Sequence, residues 1–283
     1  MSTLRVLSFN CGLLHVSACG ITLLANPANA AARFPHVVEA LLRSEADVLL
    51  LQEVYSTVHI GELLRALQPK YPHVSQHATG TLLKLNNGLL ILSRFEISHS
   101  VFHGYKKVVG LERAFATKGF LETHINSPWG VLVFTNHHTT AGGLSVESLS
   151  TEGVRKHELQ QAIDVLQPHL QAGRRVFLAG DLNTGPTLSP SNFQDLLKIG
   201  WEDSWAIAHP AADGFTWDNQ NPLNAGNVHA SSPSCRVDHI MPHKSMDLTI
   251  AAAKLLFTSE VAQVKDRMLT ASDHFGLQVD FDM

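Results

Sequence analysis

The stretch RRVFLAGDLNTGP, Arg174 to Pro186, decides how the chain is read. Val176 to Ala179 make an apolar run of the length of a buried strand, and the run stops abruptly at Gly180-Asp181. Leu182, Asn183 and a Thr184-Gly185-Pro186 turn follow at once. A carboxylate and a carboxamide two residues apart at the mouth of a strand are either a turn in which a side chain caps its own backbone, or part of a site. The rest of the chain has to separate these two readings.

The same break recurs along the sequence. Strand-like runs lie at LRVLSFN, ADVLLLQEV, GLLILSR, ATKGFLETHI, GVLVFTNHH, CRVDHIM and FGLQVDF. The first ends in Asn10, the second in Gln52-Glu53 and the fifth in Asn136-His137-His138. CRVDHIM carries Asp238, and Ser272-Asp273-His274 precedes the last run. Each group taken alone is ordinary, since a lone Glu at a strand end is usually solvated. Together they form a set of carboxylates, carboxamides and imidazoles with no nucleophilic Ser or Cys motif. Such groups at one edge of a layered fold converge on one cleft.

Helical spacing appears between the strand runs, at Phe34–Arg43, where Val37, Val38, Leu41 and Leu42 share a face, and at Ile60–Leu67, Val154–Leu166 and Phe193–Leu197. Helices covering one side of several strands indicate a layered α/β arrangement. The NSPWG turn at Asn126–Gly130 joins two strand runs as a hairpin, so the sheets are mixed. No repeat, low-complexity segment or long linker divides the chain, and one domain over residues 1–283 is expected.

Of the 283 residues 45% are apolar and 16% charged, enough to bury a sizeable core. A net charge of −4 with no basic tract argues against a dedicated nucleic-acid binder. Cys11, Cys19 and Cys235 are too few and too irregular for a disulfide framework or a zinc site, and are expected to be free thiols in a reducing compartment. The opening MSTLRVLSFN enters a strand pattern by residue 4, leaving no room for a leader, and no stretch approaches the ~20 apolar residues of a spanning helix. A cytoplasmic monomer is therefore expected.

The chemistry of the set is that of hard ligands. The Glu53 carboxylate with an amide oxygen from Asn10 suits Mg²⁺, with Mn²⁺ as a substitute. Zinc fits less well, because no close His pair on a helix accompanies the acids. Histidines such as His137 and His274 can hydrogen-bond a phosphoryl group, while Asp181 and Asn183 can orient a water. The sum is metal-assisted attack of water on a phosphoester.

In order, LSFN, LLLQEV, FTNHH, GDLNTGP, RVDHI and SDHFGL resemble the motifs of the endonuclease/exonuclease/phosphatase superfamily over nearly the whole chain. The resemblance implies a four-layered α/β sandwich around two mixed, mainly antiparallel sheets. It implies Glu53 as the principal Mg²⁺ ligand, assisted by Asn10 with Asp273 near the metal. Asp181 would activate the attacking water, Asn183 would hold it or a phosphoryl oxygen, and His274 would be oriented and charged by Asp238. His137 would stabilise the phosphoryl group or serve the leaving oxygen, an assignment over His138 that rests on strand alternation. His138 would then sit beside it as a substrate contact.

Within the superfamily the chain most resembles the neutral sphingomyelinase, or sphingomyelinase C, group. FNCGLL, NNGLLILSRFEI, TKGFL with Lys118 as a cation near the phosphate, and TWD at Thr216–Asp218 carry that likeness. It implies a phospholipid head-group phosphodiester as substrate. The alternatives are a nuclease of the apurinic-site or exonuclease III type, a phosphatase acting on an inositol phosphate or other small phosphoester, and a catalytically dead binding module. The uncharged stretch from Gly12 to Ala32 is expected to be either a short helix packed on the core or an apolar flap that meets a lipid surface. Trp129 is a second candidate for the membrane interface.

Overall fold

The computed structural model describes residues 2–18, 21–80, 85–108, 116–141, 151–224, 231–246 and 248–283, except the side chains of residues 16–24. Its core is two stacked sheets. The first has six strands, β12(Thr249–Leu256), β15(Gly276–Asp282), β1(Thr3–Asn10), β4(Val48–Gln52), β6(Leu90–Ser93) and β5(His73–Ser75), in that spatial order. The second has five, β11(Asp238–Pro242), β10(Arg175–Asp181), β9(Gly130–His138), β8(Gly119–Ser127) and β7(Glu96–Gly104). Helices α1(Ala30–Arg43) and α2(Thr57–Leu67) cover the first sheet, and α3(Thr151–Gln171) and α4(Pro190–Lys198) the second. The result is the expected four-layered sandwich.

Side-chain alternation assigns each strand residue to a layer. On β1, Leu4 and Val6 enter the core between the sheets, while Leu7 and Phe9 pack under α1 and α2. On β9 and β10, Leu132, Phe134, Phe177 and Ala179 point between the sheets, while Val133, Val176 and Leu178 pack under α3 and α4. The central strands β4 and β10 are buried on both faces, which is why they read as near-continuous apolar runs.

Each sheet contains one parallel pair, β1 with β4 and β9 with β10; the other neighbours are antiparallel. A parallel pair needs a crossover, supplied here by segments containing α1 and α3, and it brings two C-terminal strand ends side by side. Asn10 and Gln52 are register partners in one sheet, and His138 and Asp181 in the other. Buried amides join the sheets just behind these ends. Gln52 donates to Asn136 Oδ1 at 2.6 Å, and Asn136 Nδ2 donates to the Leu51 and Leu90 carbonyls at 2.9 and 3.0 Å.

Two expectations are corrected. The stretch from Gly12 to Ala32 is not a short helix packed on the core, because much of it forms an antiparallel hairpin, β2(Leu14–Ala18) with β3(Ile21–Asn26), before α1 begins. Trp129 caps the β8–β9 hairpin at the end of the strands remote from His138, where it packs edge-on against Phe95 and donates to Ser2 Oγ. A strand pair β13(Glu260–Val264)–β14(Arg267–Thr270) and a short helix α5(Ser204–Ala208) complete the elements. Among the described residues no helix is long and apolar enough to cross a membrane.

Asn136→Ala deletes a fully buried carboxamide and strands two carbonyls between the sheets. Urea unfolding should show a loss of roughly 1–3 kcal/mol, the cost of leaving buried polar groups unpaired. A change below about 0.5 kcal/mol would mean that the inter-sheet amides do not hold the layers together.

Candidate active site

Asp238, Asp181 and His138 occupy one row across β11, β10 and β9, since Asp238 pairs in register with Asp181 and Asp181 with His138. All three share the strand phase of the inter-sheet core residues Ile240, Ala179 and Phe134. Gly180, just before Asp181, has φ 116°, and a Cβ there would stand 2.4 Å from the His137 carbonyl oxygen. The backbone of β10 can therefore lie against β9 only with glycine at this position.

From the other sheet comes Asn10, fully buried. Its Nδ2 donates to Asp181 Oδ2 at 3.0 Å and to Glu53 Oε1 at 3.3 Å, and its Oδ1 accepts from Gly12 N–H at 3.0 Å. Strict alternation would send Glu53 to the face of Leu51, under the helices. Its left-handed backbone, φ 59°, breaks the alternation and turns the carboxylate into the cleft. Asn183 also has a positive φ, 43°, and its N–H donates to Asp181 Oδ1 at 3.0 Å. GDLNTGP is thus both a side-chain-capped turn and a site, because the strained turn is what presents the groups.

His274 Nδ1 and Asp238 Oδ2 are 2.8 Å apart in a buried pair, and Asp238 itself is fixed where Val237 and Asp238 N–H groups both donate to Thr216 Oγ1. Burial works to lower the His274 pKa, but the Asp238 carboxylate, with Asp181 and Asp273 nearby, holds it well above the usual histidine range. His274 is held as an imidazolium, with its Nδ1–H and ring orientation fixed by Asp238. Asp273 lies beside Gly12 (φ 54°), where a Cβ would meet Asp273 Oδ1 at 2.6 Å, and its Oδ1 accepts from Ser272 Oγ at 3.2 Å.

The cleft is lined by Glu53, His138, Asp181, Asn183, Asp273 and His274, with an apolar wall that includes Trp217 and Leu188. It encloses about 220 Å³. That is below the roughly 300–1,000 Å³ that envelops a whole small-molecule ligand, so it can take a phosphoryl group and its near substituents.

Three expected roles change. The even phase of β9 belongs to the inter-sheet face, so His138 enters the cleft and His137 faces away. His138 Nε2 lies 3.6 Å from Glu53 Oε1 and 3.7 Å from Asp181 Oδ2, and its Nδ1 is 3.3 Å from the Tyr55 hydroxyl. His137 instead stacks on Phe120 with its Nδ1 2.8 Å from the Tyr105 hydroxyl, under α3, where burial pushes its pKa down to about 3. Lys118 is buried, donating to the Thr139 carbonyl at 3.2 Å, and does not line the cleft as a substrate contact, although its charge reaches Glu53 and His138. Asn10 turns its NH₂ toward the carboxylates and its Oδ1 toward the Gly12 N–H, so in this arrangement it clamps two acids and does not offer its oxygen to a cation beside them.

Sequence reasoning missed Tyr55, Trp217 as a wall residue, and Arg33. The last is a fully buried α1 residue that donates to the carbonyls of Gly12, Ala28 and Ala271 and so secures the chain beside Asp273. A lone Arg in a helix carries no signal of such burial.

A metal would suit the donor set. Burial, with Asp273 adding repulsion, pushes the Glu53 carboxyl up to about 7, and burial with Asp238 pushes Asp181 up to about 6. Asp238 Oδ1 has no hydrogen-bond partner, and ligand atoms of Asp181, Asp238 and His274 lie within 4.8 Å of one another. The carboxylates of Glu53, Asp181, Asp238 and Asp273 outnumber the His274 imidazolium that faces them, and such an excess of carboxylate oxygen fits a hard divalent cation.

Comparison with known proteins gives the family and the fold. The profile of the Endonuclease/Exonuclease/phosphatase family matches residues 7–274. An inositol phosphosphingolipids phospholipase C from Schizosaccharomyces pombe is 26% identical over 312 residues, covering 97% of this chain and 67% of its own. Sphingomyelinase C from Streptomyces griseocarneus superposes with a TM-score of 0.76 at 16% identity, covering 99% of both chains. A beta toxin variant from Staphylococcus aureus with bound magnesium ions superposes with a TM-score of 0.77 at 17% identity, covering 98% of this chain and 99% of its own. At such identities the two structures establish the fold.

The raised Glu53 pKa has a measurable sign. A carboxyl whose folded-state value lies above its unfolded value of about 4.3 keeps its proton better when folded, so its contribution to stability falls as pH rises from about 4.3 to 7. Measured without metal, the stability of wild type relative to Glu53→Gln should decline across that window, since the subtraction cancels the histidines. Saturating Mg²⁺ should remove most of the decline. A difference that stays flat from pH 4 to 8 would show that Glu53 is not a desolvated carboxylate.

Proposed function

The chain belongs to the endonuclease/exonuclease/phosphatase family, and on that premise we propose that it is a Mg²⁺-dependent phosphodiesterase that hydrolyses a phospholipid head-group phosphoester in the manner of a sphingomyelinase C. The coarser statement, that it is a phosphoric ester hydrolase, follows from membership. The observation that carries the finer one is the joining of a desolvated Glu53–Asp181 pair to a standing His274 imidazolium in a cleft sized for a phosphoryl group. The curated relative and the sphingomyelinase C neighbour support a sphingolipid phosphodiester as substrate.

In this reading Glu53 and Asp273 would hold the cation, which would supply positive charge to offset the phosphoryl oxygens. Asn10 keeps the Glu53 and Asp181 carboxylates in place. Asp181 orients a water and takes its proton, and Asn183, beside it in the cleft, holds that water or a phosphoryl oxygen. His274, kept charged by Asp238, donates to a phosphoryl oxygen. His138 faces the same space as a neutral imidazole, because burial first, and then Lys118 and His274, hold its pKa well below the usual range.

The site draws on residues from Asn10 to His274 and on both sheets, which supports reading residues 1–283 as one catalytic unit that needs no second copy. The β2–β3 hairpin ends at Asn26 on the cleft wall, and residues 12–32 carry no Asp, Glu, Lys or Arg. We place the lipid surface against it. The nuclease reading is the weaker one, since a net charge of −4 opposes a phosphate-binding groove.

The test is a panel of sphingomyelin, inositol phosphosphingolipid, lysophospholipid, inositol phosphate and abasic duplex DNA, with Mg²⁺ and with chelator. Release of a phosphorylated head group from a sphingolipid should require the metal. His138→Ala and His274→Ala should each lower that turnover by on the order of 10²- to 10⁴-fold, whereas His137→Ala should act on stability. Charges placed at Leu23 and Leu24 should depress turnover on vesicles more than on a soluble phosphodiester. Cleavage of the abasic duplex with all lipids intact would overturn the assignment.

A further inference from the structure

The unusually large histidine content, 17 of 283 residues, is not used up by the cleft. A second cluster lies on the other face of the second sheet. Glu122 and His124 are two apart on β8, so they share a face, and His99 on β7 is the register partner of His124. That face is the one of Phe120, under α3, whereas His138 faces between the sheets. Glu122 pairs with Thr135, three residues down β9 from His138, or roughly 10 Å along the strand. The two clusters are separate sites.

Every imidazole in this cluster is aimed at one carboxylate or packed against a ring that is. Glu122 Oε1 has His124 Nε2 at 2.8 Å and His169 Nε2, from the end of α3, at 2.9 Å, and Glu122 Oε2 has His103 Nε2 at 2.8 Å. His103 is fixed by stacking on Phe120 at 4.8 Å, and His124 stands between the rings of His99 at 4.7 Å and His169 at 4.9 Å. One ligand atom each from His99, Glu122 and His124 lies within 4.8 Å of the other two.

We propose that His99, Glu122 and His124 form a transition-metal site, best suited to Zn²⁺, distinct from the cation site of the cleft. Two imidazoles and one carboxylate are the borderline donor set that selects zinc over magnesium. Ligand atoms of tetrahedral zinc lie roughly 3.3 Å apart for bonds of about 2.0–2.1 Å, so the three groups need only small side-chain shifts to close on an ion. His99 is exposed, which gives the ion its way in and leaves the fourth position to water. His103 and His169 keep the carboxylate in place. Arg174 donates to His169 Nδ1 at 3.0 Å, so the His169 proton sits on Nε2 and points at Glu122.

Zinc content after equilibrium dialysis of the chelator-stripped protein tests the site, with Co²⁺ as a spectroscopic substitute. Wild type and Glu53→Gln should both hold one zinc that His99→Ala and His124→Ala lose, together with the visible Co²⁺ band of a nitrogen-ligated ion. His103→Ala should weaken that zinc by about 10- to 100-fold, the range for a residue that orients a ligand. Mg²⁺-supported turnover should be unchanged in His99→Ala, which lies on the surface and leaves folding intact. Equal zinc content in wild type and His99→Ala would overturn the proposal. So would loss of the same zinc in Glu53→Gln, because the ion would then belong to the cleft.

Discussion

One buried carboxamide holds the two halves of the site together. Asn10, at the end of a strand in the first sheet, donates to Glu53 in its own sheet and to Asp181 in the other. Burial makes both carboxylates resist ionisation, and the charge of Asp273 beside Glu53 and of Asp238 beside Asp181 adds to it, so each is pushed well above its ordinary range. They stay together because the strands behind them are locked, by parallel pairing within each sheet and by the Gln52–Asn136 bridge between sheets. Deficient positive charge is therefore a property of the fold at this edge, and in the proposed function a divalent cation would relieve it.

The strain in the backbone has the same location. Glu53, Asn183 and Gly12 all adopt positive φ where a strand gives way to the cleft. A regular strand end would send Glu53 under the helices, and a bulkier residue at position 12 would displace Asp273. Arg33 stabilises the Gly12 turn from behind through its hydrogen bonds to the Gly12 and Ala271 carbonyls. Its guanidinium also lies within electrostatic reach of Asp273 and Glu53. Local distortions of this kind persist only where the surrounding contacts overdetermine them.

Much of this was legible in the sequence. The abrupt ends of FTNHH and RRVFLAGD, and the apolar runs that precede them, mark the central strands and the polar edge they share, since double-sided burial leaves a clear compositional trace. Edge strands leave less. EISHSVFHG alternates weakly, with four of its nine residues exposed and none fully buried, so β7 has no distinct pattern, and TIAAAKLL reads as readily as a helix. The choice between His137 and His138 turned on strand phase. The Phe120–His137 and Asp181–His138 register pairs settle it, and neither can be counted from a single strand. Lys118 and Asn10 were identified as site residues by type, but their roles depend on where Nζ and Nδ2 point, which no spacing encodes.

The claim on which the functional reading rests is that Glu53 binds a divalent cation in the cleft between the sheet edges. Diffraction from crystals soaked in Mg²⁺, with Mn²⁺ as an anomalous substitute, addresses it directly. The expected result is an octahedral ion with a Glu53 oxygen at roughly 2.0–2.1 Å, Asp273 in its surroundings and waters completing the shell. A cleft that stays without an ion at saturating Mg²⁺, in a protein whose turnover survives chelation, would contradict it.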